Sequence, residues 1–385
     1  MIRHLSQKHS VIVATLAESE QELREGADLK EYCEDVIVEL VPKAVRWIQA
    51  FRSLFSRAPS SVAYFSSATL LRRIKKALRN EKFDVIWVHC AFVARYVADV
   101  DVGFKILDYG DLDSAKWFEY ARWRSFPLSL AYGLEARKLR KYERDVGKHF
   151  HGCTVTTRGE LEEFEKLKLD APCTLIPNGV DSTYFAPLPR SDRSARVIFV
   201  GRMDYFPNVD GAVYFARAIF PILRRNVPTA EFWIVGSNPG SEVQSLGTVP
   251  GITITGHVKD VRPYLAGSAV AVAPLRIARG TQNKILEAMA MGIPVVATSQ
   301  ASKGIDAAAG HDLLVADQPE AFAREVTRLL ENAHLRNDLS LAGRQRVLDK
   351  HAWPNSMRIL DRILAETPVA LSDKVELTMA GCAGQ

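Results

Sequence analysis

Short apolar runs rich in valine and isoleucine alternate with longer helical patterns from one end of this chain to the other. This alternation is typical of βαβ units, in which helices cover both faces of a parallel sheet. The runs are almost continuously apolar, as expected of strands that are buried on both faces. The predicted strands are 11–16, 36–41, 85–89, 105–108, 152–157, 174–176, 196–200, 231–235, 252–255, 269–273, 294–298 and 313–315.

The chain has 385 residues, which is more than twice the ~150 residues of an average domain and predicts two domains. Proline, serine and unpatterned charge mark the segment FAPLPRSDRSA (185–195) as the linker between them. We therefore expect one domain over 1–185, a second over 186–350 and a helix over 351–366 that crosses back to the first domain. The remaining tail, 367–385, is expected to be loose.

Composition excludes several classes of protein. The net charge is +5, without a basic tail, which argues against nucleic-acid binding. No apolar run approaches the ~18 residues of a spanning helix. Five widely spaced cysteines without a CxxC pair argue against a disulfide framework and a zinc site. The N-terminus lacks the features of a signal peptide, so we expect a cytoplasmic protein.

The segment 43–82 holds ten Lys or Arg residues and a single acid, Glu81, with five aromatic residues among them. Basic and aromatic residues on amphipathic helices suit the headgroup layer of an anionic membrane. The alternative is a solvated helical face. The first interpretation predicts a peripheral position at the inner face of the plasma membrane.

One helix is predicted over 282–291 within the segment ARGTQNKILEAMAMGIPVVAT. Thr281 is a suitable N-cap, Gly292 a suitable stop, and Gly280 comes just before the helix. Its N-terminus, with free N–H groups and a positive dipole, suits a phosphate.

Asn283, Lys284 and Glu287 stand three to four residues apart and share one face of this helix. Lys284 would add a full positive charge beside a phosphate, and Glu287 could accept two hydroxyl hydrogen bonds from a ribose. The alternative is a Lys–Glu pair on an exposed helix.

Two strand ends complete this predicted site. Gly201 and Arg202 follow one strand, and a guanidinium suits two-pronged phosphate binding. Gly256, His257 and Val258 end another strand, where a glycine lets the backbone approach a flat ring. Each could instead be an ordinary strand-ending turn. Together they predict groups for base, ribose and diphosphate on one edge of one sheet.

The first half offers further candidates. His89 ends a strand and could bond a sugar hydroxyl or the reacting oxygen, or it could be structural. Asp108, Asp111 and Asp113, with Lys116 and Trp117, follow another strand and suit a sugar acceptor, although Asp113 or Ser114 could instead cap a helix. No pair of carboxylates with metal-like spacing appears among these residues, which predicts that no metal is needed.

In this order and spacing, the motifs LIPNGVDSTYFAP, VGRM, ITGHVKDV and KILEAMAMGIPVVAT resemble those of the retaining family 4 glycosyltransferases with the GT-B fold. Within that family, LDYGDLDSAKW, RMDYFPNVDG and RGTQNKILEAMAMG are similar to sugar transferases associated with exosortase (PEP-CTERM) and exopolysaccharide loci. The resemblance covers residues 173–353.

The resemblance implies two doubly wound, Rossmann-like α/β domains that face each other across a cleft and bind a nucleotide sugar between them. It implies transfer to a glycan or lipid-linked acceptor, with retention and without a metal or another cofactor. Glu287 would bind the donor ribose, Arg202 the diphosphate and the backbone of 256–258 the base. Arg202, Lys284 and His89 are the residues we expect to act in catalysis. Gly201, Gly280, Thr281 and Asn283 complete the expected donor site.

Three departures from the family pattern stand out. Arg279 replaces the first glutamate of the E-x7-E pattern, and Pro207 and Asn208 stand where a lysine usually follows the VGR arginine. The chain also begins inside the helix that follows the family's opening strand and glycine-rich turn, so the first sheet is expected to lack a central strand. These departures leave open a catalytically impaired partner subunit. A nicotinamide dehydrogenase would need GxGxxG after an early strand, which is absent.

Overall fold

The computed structural model describes residues 1–101, 103–189, 195–367 and 376–380. All twelve predicted strands are present, with ends within two residues of those expected, and the described residues form one further strand near the C-terminus. The strands are β1 (Val11–Ala17), β2 (Asp35–Leu40), β3 (Val85–His89), β4 (Phe104–Gly110), β5 (Gly152–Val155), β6 (Cys173–Leu175), β7 (Arg196–Val200), β8 (Glu231–Val235), β9 (Ile252–Gly256), β10 (Val270–Ala273), β11 (Val295–Ala297), β12 (Leu314–Val315) and β13 (Glu376–Ala380).

The helices follow the same alternation along the chain. They are α1 (Ile2–Leu5), α2 (Glu20–Glu25), α3 (Lys43–Ser53), α4 (Ser60–Tyr64), α5 (Ala68–Asn80), α6 (Ala91–Ala94), α7 (Asp113–Trp123), α8 (Leu128–Gly147), α9 (Arg158–Glu165), α10 (Phe206–Tyr214), α11 (Phe220–Asn226), α12 (Ser241–Ser245), α13 (Arg262–Ala266), α14 (Asn283–Ala290), α15 (Ser299–Ser302), α16 (Pro319–Glu331), α17 (Ala333–Lys350) and α18 (Trp353–Ala365). None of the helices among the described residues is both long and apolar enough to cross a membrane.

The chain divides into two compact units. Unit 1 comprises Met1–Ile176 and Ile359–Gln385, and unit 2 comprises Pro177–Arg358. The division falls before the linker expected at 185–195 because the residues after Ile176 pack within unit 2. Val180 is buried in the core of unit 2 and pairs with Ala352 in an isolated β-bridge. Residues 190–194 of the expected linker lie outside the described residues.

The sheet of unit 1 has the strand order β2-β1-β13-β3-β4-β5-β6, and all of its pairs are parallel. β13 lies between β1 and β3, with Thr378 opposite Val13 on one side and Trp87 on the other. Two expectations are therefore wrong: residues 376–380 are not a loose tail, and the sheet does not lack a central strand. The other parts of the predicted tail, 368–375 and 381–385, lie outside the described residues.

Helix α18 links the two units along the chain. Residues 353–358 belong to unit 2 and 359–365 to unit 1. Within unit 1, the carboxylate of Asp361 lies 2.7 Å from Nε2 of His4 and accepts a hydrogen bond from Nζ of Lys8 at 3.0 Å. These contacts connect α18 to α1 and to the residues that follow it.

The sheet of unit 2 has the order β12-β11-β10-β7-β8-β9 and is also parallel. The chain starts this sheet at β7, adds β8 and β9 on one side, and then adds β10, β11 and β12 on the other. The strand order reverses between β7 and β10, which is the topological switch point where such sheets bind ligands outside the carboxyl ends of their strands. Phe215, Phe220, Phe232 and Phe322 form an aromatic core under the sheet.

Candidate functional site

The turn after β7 lies at this switch point, and the side chain of Asn208 packs against it. A Cβ on Gly201 would stand 2.7 Å from Nδ2 of Asn208, so a larger residue would displace that side chain. The same Nδ2 donates to the carbonyl oxygen of Arg202 at 2.9 Å, and Asn208 is buried. Asn208 therefore fixes the backbone from which the Arg202 side chain projects.

Arg202 is half-exposed and grips Asp204 with two hydrogen bonds, from Nε at 3.2 Å and from Nη2 at 2.9 Å. Asn238 donates to the same carboxylate at 3.2 Å. The hydrogen bonds from Arg202 lower the pKa of Asp204, and those to Asp204 raise the pKa of Arg202. Both prongs of the guanidinium are thus occupied by the carboxylate of Asp204, an anion that a guanidinium binds in this two-pronged way.

Helix α14 follows β10 at the other side of the switch point. It begins at Asn283 with Gln282 as its N-cap, so the expectation of Thr281 as the capping residue is wrong. Nζ of Lys284 lies 5.8 Å from the ring centroid of Phe199, near the end of β7, and 3.3 Å from Oε1 of Gln282. Lys284 therefore reaches from α14 to the same strand end that carries Arg202.

Burial changes the acid–base properties of the α14 pair. It lowers the pKa of Lys284 to about 8, although the nearby charge of Glu287 opposes the shift. Burial also raises the pKa of Glu287, against the charge of Lys284. The two side chains are electrostatic neighbours in a setting that penalises both charges. This geometry differs from the exposed Lys–Glu pair considered as the alternative.

The turn after β9 has space beside it. Gly256 has φ +69°, and a Cβ there would meet no atom within 4 Å, so the backbone conformation, rather than crowding, favours glycine. His257 is exposed, and Val258 packs against the core of unit 2. This open backbone edge leaves room for a planar group.

The loop before α14 approaches another backbone segment. A Cβ on Gly304 would come within 2.0 Å of the carbonyl oxygen of Gly280, so these segments touch directly. Nε2 of Gln282 donates to the carbonyl of Arg279 at 3.0 Å. Thr281 is half-buried, and Asn283 is exposed at the start of the helix.

In unit 1, His89 and Asp108 are register partners at the ends of β3 and β4. Nδ1 of His89 lies 2.7 Å from Oδ2 of Asp108, whose Oδ1 accepts from Thr154 Oγ1 at 2.8 Å and from the N–H of Gly110 at 3.0 Å. Burial alone would raise the pKa of Asp108, but these hydrogen bonds and the charge of His89 hold it below its ordinary value. An ionised carboxylate only accepts, so Nδ1 carries a proton and Nε2 is the basic nitrogen of the neutral ring.

The N-terminus of α7 is capped by carboxylates from other helices. Glu143 on α8 accepts from the N–H of Ser114 at 2.9 Å, and Glu160 on α9 accepts from the N–H of Leu112 at 2.8 Å. Burial raises the pKa of Glu143 to about 8 and that of Asp113 to about 6. Asp113 is thus a buried carboxyl at the start of the helix.

The other acceptor-side candidates differ in exposure. Asp111 is half-buried and accepts from Thr156 Oγ1 at 2.8 Å. Trp117 packs against a small cluster that includes Cys90 and Phe92, and its ring lies 5.1 Å from that of Tyr132. The structure therefore brings Asp111, Asp113 and His89 to the carboxyl ends of β3 and β4, with Trp117 one turn further along α7.

Two partners in these arrangements were not predicted as site residues: Asp204 and Glu143. Asp108 was predicted on the acceptor side, but its pairing with His89 was not, although the predicted strands 85–89 and 105–108 end in these two residues. No local pattern points to Glu143, since its contact with Ser114 depends on how α8 packs. Within the described ranges, no three His, Cys, Asp or Glu side chains come together in a group that could hold a metal ion.

Comparison with known proteins finds a similarity in the part of the chain that carries the α14 site. Residues 194–332 match the sequence model of the family described as glycosyl transferases group 1. No curated protein matches the chain.

Several solved structures share the fold. Sucrose-phosphate synthase (tll1590) from Thermosynechococcus elongatus is 15% identical, with a TM-score of 0.65 over 93% of this chain and 100% of that one. Anabaena HepE (Alr3699), in a complex with UDP and glucose, is 14% identical, with a TM-score of 0.66 over the same shares. TarM is 14% identical, with a TM-score of 0.60 over 77% of this chain and 57% of TarM. These neighbours are GT-B glycosyltransferases, which confirms the predicted fold, and within this fold residues 194–332 are similar to the group 1 glycosyl transferases.

Proposed function

We propose that this chain is a glycosyltransferase that moves a sugar from a nucleoside diphosphate sugar to a glycan or lipid-linked acceptor. The observation that carries the proposal is the convergence of Arg202, Lys284 and Glu287 at the switch point of unit 2. The group 1 match covers the same residues. UDP is the first nucleotide to test, because HepE is described in complexes with UDP and with UDP-glucose.

The assigned roles follow from the charge of each group. Departure of a nucleoside diphosphate builds negative charge on the β-phosphate, and fixed cations there stabilise the transition state more than the ground state. Arg202 would exchange the Asp204 carboxylate for diphosphate oxygens, and Lys284 would add the second cation. Glu287 would accept hydrogen bonds from the ribose hydroxyls, and the open edge at 256–258 would face the base.

On the acceptor side, His89 would accept a proton from, or orient, the attacking hydroxyl through Nε2. Asp108 holds the ring through Nδ1 and so acts as a positioning residue. Asp111 and Trp117 follow β4 closely in the chain and would contact the acceptor sugar beside His89. Asp113 is buried at the start of α7, so its role would be to stabilise that helix.

Finer parts of the proposal rest on the family resemblance. They are retention of anomeric configuration, independence from metal ions and a role in exopolysaccharide biosynthesis. A cytoplasmic position at the inner face of the plasma membrane is a further part of the proposal, and it is supported by the basic and aromatic segment 43–82. Arg279 in place of a glutamate favours one alternative, a catalytically impaired partner subunit that still binds the nucleotide.

Calorimetry of the full chain with UDP and with GDP tests the donor site. Glu287→Ala should weaken binding by about 10- to 100-fold, because hydrogen bonds to a charged group contribute roughly 1.5–3 kcal/mol each. Glu331→Ala, at an exposed position at the end of α16, should leave binding unchanged. Failure of every nucleoside diphosphate to bind would refute the proposal. Binding without sugar transfer would favour the impaired subunit, and transfer that stops in EDTA would refute metal independence.

A further inference from the structure

The exposed apolar residues of unit 1 are concentrated in two segments. Of the seventeen large hydrophobic side chains that are exposed among the described residues, eleven lie in 45–55 and 123–134. Trp47, Phe51 and Phe55 are 61%, 63% and 85% exposed. Isolated exposed apolar residues are normal, but a cluster of this size marks a surface that binds something.

The two segments adjoin each other. Nζ of Lys138 on α8 lies 3.4 Å from the carbonyl oxygen of Ser53 and 3.3 Å from that of Leu54. One turn earlier, Glu135 accepts from the backbone N–H groups of Ser60 and Ser61 at 3.0 and 2.9 Å. The end of α3 therefore abuts the middle of α8. The exposed apolar residues on and just after α3, together with those on α8, are called here the α3–α8 patch: Val45, Trp47, Ile48, Phe51, Leu54, Phe55, Leu128, Leu130 and Leu134.

The outer face of α8 continues the patch as a line of cations. Its positions are separated by four and three residues in turn, so they lie on one side of the helix. They are two leucines, Leu130 and Leu134, followed by four cations, Arg137, Lys141, Arg144 and, just after the helix, Lys148, all exposed. A cavity beside this line has five basic residues among the seven that line it. Asp145 pairs with cations of this line, which leaves a net positive charge.

The exposed cations on and just after α3 have no acidic residue near them in the sequence. Lys43, Arg52 and Arg57 are exposed, and no Asp or Glu occurs between residues 43 and 80. A second copy packed on this patch would place cations of both chains around one interface, with more cations than carboxylates to pair them. An anionic bilayer complements both the apolar side chains and the cations of this surface. Its interface accommodates aromatic and aliphatic side chains, and its phosphates attract Lys and Arg.

We propose that the α3–α8 patch docks unit 1 on an anionic phospholipid bilayer, with its apolar residues in the interface and the α8 cations on the headgroups. This inference deepens the proposed function, since a lipid-linked acceptor lies in such a surface. It also revises the membrane segment predicted at 43–82. Arg46 is buried, with its guanidinium against the rings of Tyr64 and Phe65, and α5 exposes no large apolar side chain among its cations. Helix α5 is therefore not part of the patch.

Flotation of the full chain with phosphatidylcholine vesicles, with and without phosphatidylglycerol, tests the inference. The protein should float only with the anionic vesicles and should be released by salt. Arg137→Gln/Lys141→Gln/Arg144→Gln should weaken binding by about 100-fold, at roughly fivefold per cation. Phe51→Ser/Phe55→Ser/Leu130→Ser should weaken it by at least about tenfold. The matched control, Arg72→Gln/Lys75→Gln/Lys76→Gln on exposed positions of α5, removes the same charge and should lose less than about threefold.

Three outcomes would overturn the inference. If the protein binds neutral and anionic vesicles equally well, the cations do not contribute to binding. If the α5 control variant loses as much binding as the α8 variant, binding depends on the net charge of the protein and not on the α3–α8 patch. If the wild-type protein is a dimer that the serine variant dissociates, and neither the wild-type protein nor this variant binds vesicles, the patch is the interface with a second copy of the chain. UDP calorimetry on every variant separates these outcomes from failure of the donor site, and an unchanged melting temperature shows that each variant is folded.

Discussion

The low pKa of Lys284 makes UDP binding depend on pH in a defined direction. In the free protein, burial sets this pKa at about 8. A bound diphosphate would raise it, so binding takes up a proton wherever free Lys284 is neutral. The affinity that Lys284 provides is therefore complete below about pH 7 and is lost as the pH rises through 8. At about pH 9 only about a tenth of Lys284 is protonated, which predicts roughly tenfold weaker binding than at pH 7, or about 1.4 kcal/mol.

Calorimetry can measure both the affinity and the proton uptake. Titrations of UDP into the full chain, in buffers with different ionisation enthalpies, give the number of protons bound per UDP. Close to one proton should be taken up at about pH 9, and about a tenth of a proton at pH 7.

The control is Lys284→Arg, whose guanidinium keeps its charge throughout this range. Its affinity should not change with pH beyond any titration of UDP itself, which is common to both proteins. Lys284→Met should bind more weakly at pH 7 and lose the same dependence. If the wild-type protein and Lys284→Arg show the same pH profile, Lys284 does not contact the phosphates and the assignment of the second cation fails.

Two further predictions concern unit 1. Thr378→Pro removes a backbone N–H from the centre of β13, between Val13 and Trp87, and should cost ~3 kcal/mol or more, or about 10 °C in the melting temperature of a unit of this size. Thr378→Val keeps the N–H and should melt near the wild-type temperature; equal melting of both variants would show that β13 does not pair in solution. The second prediction concerns Glu143, whose pKa of about 8 in the folded unit lies above its ordinary 4.5. The stability that the protonated carboxyl provides is present below about pH 4.5 and lost as the pH rises through 8, at up to about 1.4 kcal/mol per pH unit. Denaturant unfolding should show this slope, and Glu143→Gln should flatten it; a slope that the variant retains would refute the assignment.

Most of the strands could be predicted because a strand that is buried on both faces consists of a continuous run of apolar residues. The strand ends 196–200 and 231–235 are as expected, since each is followed by a glycine that the packing requires: Gly201 lies against the Asn208 side chain, and Gly236 lies against the carbonyl of Gly201. The position of α14 was also predictable, because its apolar and polar residues segregate by helical periodicity.

Long-range pairing explains what could not be predicted. Residues 376–380 pair with β1, more than 350 positions earlier, and nothing within five residues encodes that partner. The Asp204 carboxylate is two residues from Arg202, yet only the turn geometry shows that the two side chains form a bidentate pair. The charge pattern of 43–82 predicts one basic surface, whereas the packing of α3, α4 and α5 divides this segment.

The place of β13 has a consequence for synthesis on the ribosome. Its two neighbours, β1 and β3, leave the exit tunnel early, whereas residues 376–380 are translated after the whole of unit 2. Domains generally fold in the order in which they are made, but here unit 2 can complete its sheet while unit 1 still waits for its middle strand. During that interval β1 and β3 present unpaired edges in what will be the core, and such edges are templates for pairing with other chains. Expression at lower temperature, or with chaperones that bind nascent strands, should therefore protect unit 1 rather than unit 2.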